Sequence, residues 1–291
     1  MISRPPIAAL QPFVQRIWAT RRGEDLPVAR REFVLPTGFV HLSLRLEGPG
    51  LRIYADEASG EPVDLGRAVV GGPRTRHYVR DVSEPVESVG ALLHAGAAPL
   101  LFGVPADALA ERHTPLEQLW GRFTREAISR LSEATTSAAR LEVLEALLLE
   151  RLTAGAAPPA VIAFATRALE GGMDVASVVA RSGYSHRHFI ALFKAAVGLT
   201  PKAFARVRRF GSALNRLAAD PVREVADIAW SGGFSDQAHF TREFRAFTGL
   251  SPCQYRRVRP AQIHHVPVRS DSFKTPRRDG GTVDPPTRSR A

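Results

Sequence analysis

Polar and apolar positions alternate through the front of the chain and recur every three or four residues through the back. Residues 13–18, 33–35 and 39–46 have the period of two that puts successive side chains on opposite faces of a strand. Pro36-Thr37-Gly38 is the turn between the second and third of these runs. Residues 51–54, 67–70, 77–79 and 86–93 repeat the pattern, each bounded by Gly, Pro or Asp. Six or seven short strands at this spacing predict a small antiparallel barrel or sandwich. Helices are expected to start at Gly103 to Asp107 and again at Thr114-Pro115-Leu116. Residues 127–152 read as strongly helical, with Leu141, Leu144, Leu148 and Leu152 near heptad spacing. That stripe is either intramolecular core or the seam of a dimer. Residues 155–159, Gly-Ala-Ala-Pro-Pro, read as a hinge, and the Ser, Pro, Arg, Asp and Gly beyond Pro260 as a disordered tail.

Behind the hinge one stretch is written twice, at a period of about 50 residues. VASVVARSGYSHRHFIALFK runs from Val175, and VADIAWSGGFSDQAHFTREFR runs from Val225. In the first copy Val175, Val178 and Val179 form the stripe of a short helix that Gly183 ends. Ser185 then caps a second helix whose buried stripe is Phe189, Leu192, Phe193 and Ala196. Helix, tight turn and helix make a helix-turn-helix. The opposite face carries His186, Arg187, Ile190, Ala191 and Lys194. The second copy buries Ile228, Phe240, Phe244 and Phe247, and shows Gln237, Ala238, Thr241, Arg242 and Arg245, with His239 at the flank. One extra residue lengthens its turn. Trp230 is expected in the core, and Asp227 at a cap or in solvent rather than at a polymerase contact.

Two such units, joined by a helix over residues 200–219 and each trailed by Phe-[Lys/Arg]-x-x-x-Gly-Leu-[Thr/Ser]-Pro, resemble the DNA-binding domain of AraC-type transcription regulators over residues 160–259. The resemblance implies that the early exposed residues of each second helix face the major groove. Those positions are His186, Arg187, Ile190 and Ala191, then Gln237, Ala238, His239 and Arg242. Arg187 and Arg242 suit guanine O6 and N7, Gln237 suits adenine, and Ile190 and Ala191 offer a thymine methyl only apolar contact. Lys194, Arg208, Arg209 and Arg245 are candidate phosphate contacts, or exposed charge. In the front half, residues 33–42, 71–76 and 116–121 are similar to a poorly characterised β-rich domain found fused to this DNA-binding domain. That similarity implies a cupin-like barrel with a helical appendix and assigns no ligand. The expected fold is α+β. Residues 1–110 form the β-rich sensor, 111–157 a helical linker and dimer region, 158–260 the all-α tandem unit, and 261–291 the tail.

Charge follows this division. Residues 158–260 hold 15 Lys+Arg against 7 Asp+Glu, whereas residues 1–157 hold 18 against 19. The formal net charge of +10 therefore comes from the duplicated region and the tail, as phosphate binding requires. Cys253 is the only cysteine, so no internal disulfide or thiolate cluster can form, and it is expected to be a small packed residue. No leader sequence or membrane-length apolar run is present, which points to the cytoplasm and the nucleoid. His41, His77, His94 and His113 stand singly, without the H-x-H of a metal-dependent cupin, so no metal and no cofactor are expected. Arg74, Arg76, His77 and Tyr78 are candidates for the pocket of an acidic effector, or equally a charged rim. The reading is a sequence-specific DNA-binding regulator whose front half senses a small molecule or holds a dimer. Its partners are double-stranded operator DNA, with RNA polymerase, an effector and a second copy as further candidates. The competing readings are an enzymatic or ligand-binding barrel with a DNA anchor, and a non-specific architectural binder; Arg187, Gln237 and Arg242 argue against the latter.

Overall fold

A computed structural model describes residues 1–21, 30–55, 59–153, 155 and 157–268. The strands are β1 (Ile2–Arg4), β2 (Val14–Arg21), β3 (Arg31–Val34), β4 (His41–Glu47), β5 (Arg52–Tyr54), β6 (Val63–Asp64), β7 (Ala68–Gly71), β8 (Tyr78–Asp81), β9 (Glu87–Leu93), β10 (His113–Pro115) and β11 (His265–Val268). They form two antiparallel sheets, a first of order β1-β2-β9-β4-β7-β10 and a second of order β11-β3-β8-β5-β6. The closed barrel of the sequence expectation is thus a pair of separate sheets, with the Tyr78 ring of the second meeting the His113 ring of the first at 4.4 Å. Thr114, expected to begin a helix, instead lies in β10, paired with Val70 of β7.

Helices α1 (Ala98–Phe102), α2 (Ala106–Leu109), α3 (Glu117–Trp120), α4 (Phe123–Glu133) and α5 (Ser137–Arg151) complete the front half. The single helix expected over residues 127–152 is broken because the Thr136 hydroxyl accepts from the Ala139 amide at 3.1 Å and starts α5 afresh. Leu42, Leu44, Val89, Ala91, Ile17 and Ala19 turn the outer face of the first sheet into the seat of α4 and α5. Leu141, Leu144 and Leu148 are buried there, so the heptad-like stripe is intramolecular core. Each such leucine is worth about 1.5–3 kcal/mol relative to exposure.

The back half consists of α6 (Ala160–Glu170), α7 (Val175–Ser182), α8 (His186–Val197), α9 (Pro201–Ala219), α10 (Val225–Ser231), α11 (Gln237–Thr248) and α12 (Pro252–Val258). It shares one hydrophobic core with the second sheet, in which Phe33, Leu35, Phe39 and Val79 join Phe193, Phe204, Phe210 and Phe247. Four further ties close the seam between the halves. The Phe39 and Phe204 rings lie 6.2 Å apart. The His77 amide donates to the Phe247 carbonyl at 3.2 Å. Arg208 donates to the Thr37 carbonyl at 3.1 Å and lies 4.3 Å over the Phe39 ring. α8 packs against α2 through Gly198, whose φ of +89° and closeness to Pro73 and Ala106 exclude a side chain.

The chain then returns. β11 pairs antiparallel with β3, Val266 opposite Phe33. The segment expected to begin a disordered tail at residue 261 therefore contributes a strand to the front half, and residues 269–291 of that tail lie outside the described residues. So does Ala156 of the expected hinge.

Candidate nucleic-acid interface

Each unit is built from local signals. Asp174 accepts from the Ser177 amide at 2.9 Å and starts α7, and Gly183 ends it at φ +74°. The Ser185 hydroxyl accepts from the His188 amide and starts α8. Phe189, Phe193 and Ala196 point inward, which leaves His186, Arg187, Ala191 and Lys194 exposed and Ile190 half-buried against the core. In the second unit Gly233 takes φ +73°, and the inserted Ser235 makes Asp236 the cap of α11, accepting from the His239 amide at 2.6 Å. That amide bond chiefly holds the Asp236 carboxyl below the usual carboxylate range, and a carboxylate at a helix N-terminus is itself favourable. Gln237, Ala238, Arg242 and Arg245 are exposed, and Thr241 is half-buried.

Two candidate readers are less free than their positions suggest. The His239 ring bonds Ser235 through Nδ1 at 3.0 Å and packs on Phe234 at 5.5 Å, leaving only Nε2 for another partner. Ile190 spends part of its surface on the core.

The four phosphate candidates also divide. Lys194 and Arg245 stand exposed on α8 and α11. Arg208 is held by Glu170 at 2.8 Å and by the Thr37 carbonyl. Arg209 lies over the Phe234 ring at 5.0 Å and donates to the Gly233 carbonyl at 3.4 Å. Both arginines serve packing around α9, and only the tertiary structure shows it. Sequence reasoning also passed over Tyr184, which is exposed in the turn of the first unit with its ring tilted against His188 at 4.9 Å, although its counterpart Phe234 is buried.

Two placements from sequence are corrected. Trp230 is 81% exposed, because Val225, Ile228 and Ala229 already fill the inner face of α10. Cys253 is exposed on the first turn of α12.

The framework that holds the two faces is α9, 19 residues and about 28 Å long. It packs against α8, α10, α11 and α12. Arg206 on α9 reaches Glu243 on α11 with two bonds at 2.6 and 3.0 Å, a bidentate pair that fixes the second recognition helix.

In the front half the four pocket candidates do not converge. Arg76 is exposed, and His77 turns to the back half, its ring 4.7 Å from Phe33. Arg74 and Tyr78 turn the other way, towards the first sheet, where Arg74 meets His113 Nδ1 at 2.7 Å. Burial first, and the Arg74 charge second, push His113 down to about 3. A separate cleft of about 380 Å³ opens at the seam, between Gln15 and His94 in front and Arg167 and Arg208 behind.

Comparison with known proteins places this architecture. A helix-turn-helix domain family matches residues 178–258, and a domain of unknown function, DUF6597, matches residues 3–115. PqrA of Proteus vulgaris, a probable transcription factor, is 34% identical over 85 residues, covering 29% of this chain and 69% of PqrA. The chain belongs to the AraC-type family of transcription regulators. Within the family, LumQ of Photobacterium leiognathi, a probable transcriptional regulator, is 31% identical over 88 residues, 30% of this chain and 35% of LumQ. This AraC-type chain thus matches about a third of LumQ's length. Among solved structures, unsaturated-fatty-acid-bound ToxT of Vibrio cholerae is 9% identical, with a TM-score of 0.46 over 82% of this chain and 94% of ToxT.

Proposed function

We propose that this AraC-type chain is a sequence-specific transcription regulator in which both helix-turn-helix units dock on one DNA duplex. The observation that carries the reading is the pair of exposed polar faces, His186-Arg187-Lys194 and Gln237-Arg242-Arg245, held by a single rigid helix. Arg187 and Arg242 serve as base readers with Gln237 beside Arg242, while Lys194, Arg245 and the Tyr184 hydroxyl hold phosphates. His186 stands at the start of the first recognition helix, and His239 contributes through Nε2 alone. The front half is the sensor. Because it shares a core and a strand pair with the back half, a ligand that favours one arrangement of the seam shifts the DNA-competent population.

The test is selection of DNA fragments by the purified chain. A motif of two segments about one helical turn apart is expected. Arg187→Ala and Arg242→Ala should each cost about 1–3 kcal/mol and relax different positions of the motif. Lys194→Ala should weaken all sequences alike and reduce the salt slope by about one. Identical behaviour of all three variants would overturn the division into readers and positioners, and binding without a motif would overturn the regulator.

A further inference from the structure

Two stretches of the front half, residues 36–39 and 72–77, are loops that turn towards the helices behind. Thr37 and Phe39 take Arg208 on α9. Residues 72–77, which join β7 to β8, reach further and touch the C-terminal ends of both recognition helices. At α8 the contact is Pro73 against Gly198, the left-handed residue that ends the helix. A Cβ at Gly198 would lie 2.5 Å from Pro73 Cγ and 2.8 Å from the Ala106 carbonyl oxygen. At α11 the contact is a hydrogen bond. The Phe247 carbonyl belongs to the last turn, where a helix leaves its acceptors open. It accepts from the His77 amide at 3.2 Å, with His77 Nδ1 3.2 Å from the same oxygen.

The loop is bolted down residue by residue. The Gly72 amide donates to the Arg112 carbonyl at 2.9 Å, and a Cβ on Gly72 would lie 1.6 Å from the Leu109 carbonyl oxygen, so only glycine fits. The Glu111 amide donates to the Pro73 carbonyl at 3.0 Å. The Glu111 carboxylate accepts from the Thr75 amide and hydroxyl at 2.8 and 2.6 Å. Arg74 meets His113 Nδ1 at 2.7 Å. Glu111 itself has φ +58°, the left-handed region that a residue with a side chain adopts only at a cost. It is exposed and belongs to neither hydrophobic core, and these three bonds all go to the loop. Residues 110–113 follow directly on α2, which packs against α8. Helix α2, residues 110–113 and the loop are therefore one body resting on both recognition helices.

We propose that this body is a yoke that sets the separation and angle of the two recognition helices, and so the spacing of the DNA segments the chain accepts, with Glu111 as its positioning residue. Helix α9 supports the same two helices through the Phe193–Phe204 contact and the Phe210 rings. Apolar contacts have no direction, so a second support is what stops each helix rocking about the first. One more base pair between the segments moves them about 3.4 Å apart and turns them by about 34°. A pair of helices held at two points each cannot follow. The inference rests on both units docking on one duplex.

Fragments carrying the selected motif, and the same fragments with one base pair added to or removed from the gap, are titrated by fluorescence anisotropy. The proteins are the full chain, Glu111→Ala, Glu111→Gln and Thr75→Val. The parent should bind the altered spacings at least about tenfold more weakly. Glu111→Ala should reduce that ratio to below about threefold, while its affinity for a fragment with one segment stays that of the parent. Glu111→Gln keeps an acceptor for Thr75 and should restore the parent's ratio. Thr75→Val loses one of the two bonds and should fall between. A purely structural Glu111 would lower affinity on every fragment by the same factor. That result, an unchanged ratio in Glu111→Ala, or a parent indifferent to spacing overturns the yoke alone. A parent that selects no motif overturns the regulator reading and the yoke with it.

Discussion

Acidification from pH 7 to 5 is expected to remove several kcal/mol of the chain's stability. Three histidines gather where the sheets and the back half meet. His41 is pushed down to about 3, by enclosure first and then by the charges of His264, His265 and Arg74. His113 is pushed down to about 3 by enclosure and by Arg74 and His41, and His264 to about 4 by enclosure, His265 and Arg208. Unfolded, each titrates near 6.5. Between those values the unfolded chain binds protons that the folded chain refuses, so stability rises with pH through the window and is lost as pH falls from 6.5 towards 4. At pH 5 each histidine forfeits about 2 kcal/mol, and the three together about 6, against a total of about 5–15 kcal/mol for a folded domain. Calorimetric melting at pH 7, 6 and 5 should show a steep fall. The contribution of Asp81, whose carboxyl is held below the usual range by Ser83 and Arg52 against its burial, is lost only at lower pH and does not blur the window. A melting temperature that is level from pH 7 to 5 would refute the enclosure of these rings.

Phe244→Ala should cost about 3–5 kcal/mol and abolish DNA binding along with the fold of the second unit. The side chain is fully buried and touches the rings of Phe210, Phe240 and Tyr255 at centroid distances of 5.5, 5.6 and 5.7 Å. Its removal empties the point where α9, α11 and α12 meet, and the surrounding rings are too rigid to fill the space. Arg245→Ala, one residue on and exposed, should change stability by no more than about 0.5 kcal/mol. Urea unfolding midpoints of the two variants make the comparison. A Phe244 variant within 1 kcal/mol of the parent, on the order of a surface change, would mean that the aromatic cluster is not what sets the second recognition helix.

What was legible in the sequence is what short-range chemistry decides. The cap Ser185, the glycines at 183 and 233 and the phenylalanine stripes each act within one or two turns, and the tandem units follow from them. Duplication held one more lesson. Ala180, the counterpart of Trp230, is exposed, so the repeat itself marks position 230 as an outer one. The rest depended on partners far along the chain. β1, β10 and β11 are too short to have a pattern of their own and exist because β2, β7 and β3 pair with them. Arg208 looked like any exposed cation on α9 until Thr37 and Phe39 of the front half closed over it. The alternation of Arg74 and Tyr78 against His77 was visible, but which side faced the other sheet was not.

The return of β11 to β3 has a consequence for how the protein is made. Glu32 and its partner His265 are 233 residues apart. A ribosome adding roughly 5–20 residues per second needs about 10–50 s to travel from one to the other. Throughout that interval the edge of β3 that β11 will fill carries bare amides and carbonyls, and the face bearing Phe33 and Val79 stays uncovered until the back-half helices have been made. Such an edge is a template for any other extended chain. The nascent protein is therefore most vulnerable to mispairing during synthesis, and a truncation before residue 265 would make that vulnerable state permanent.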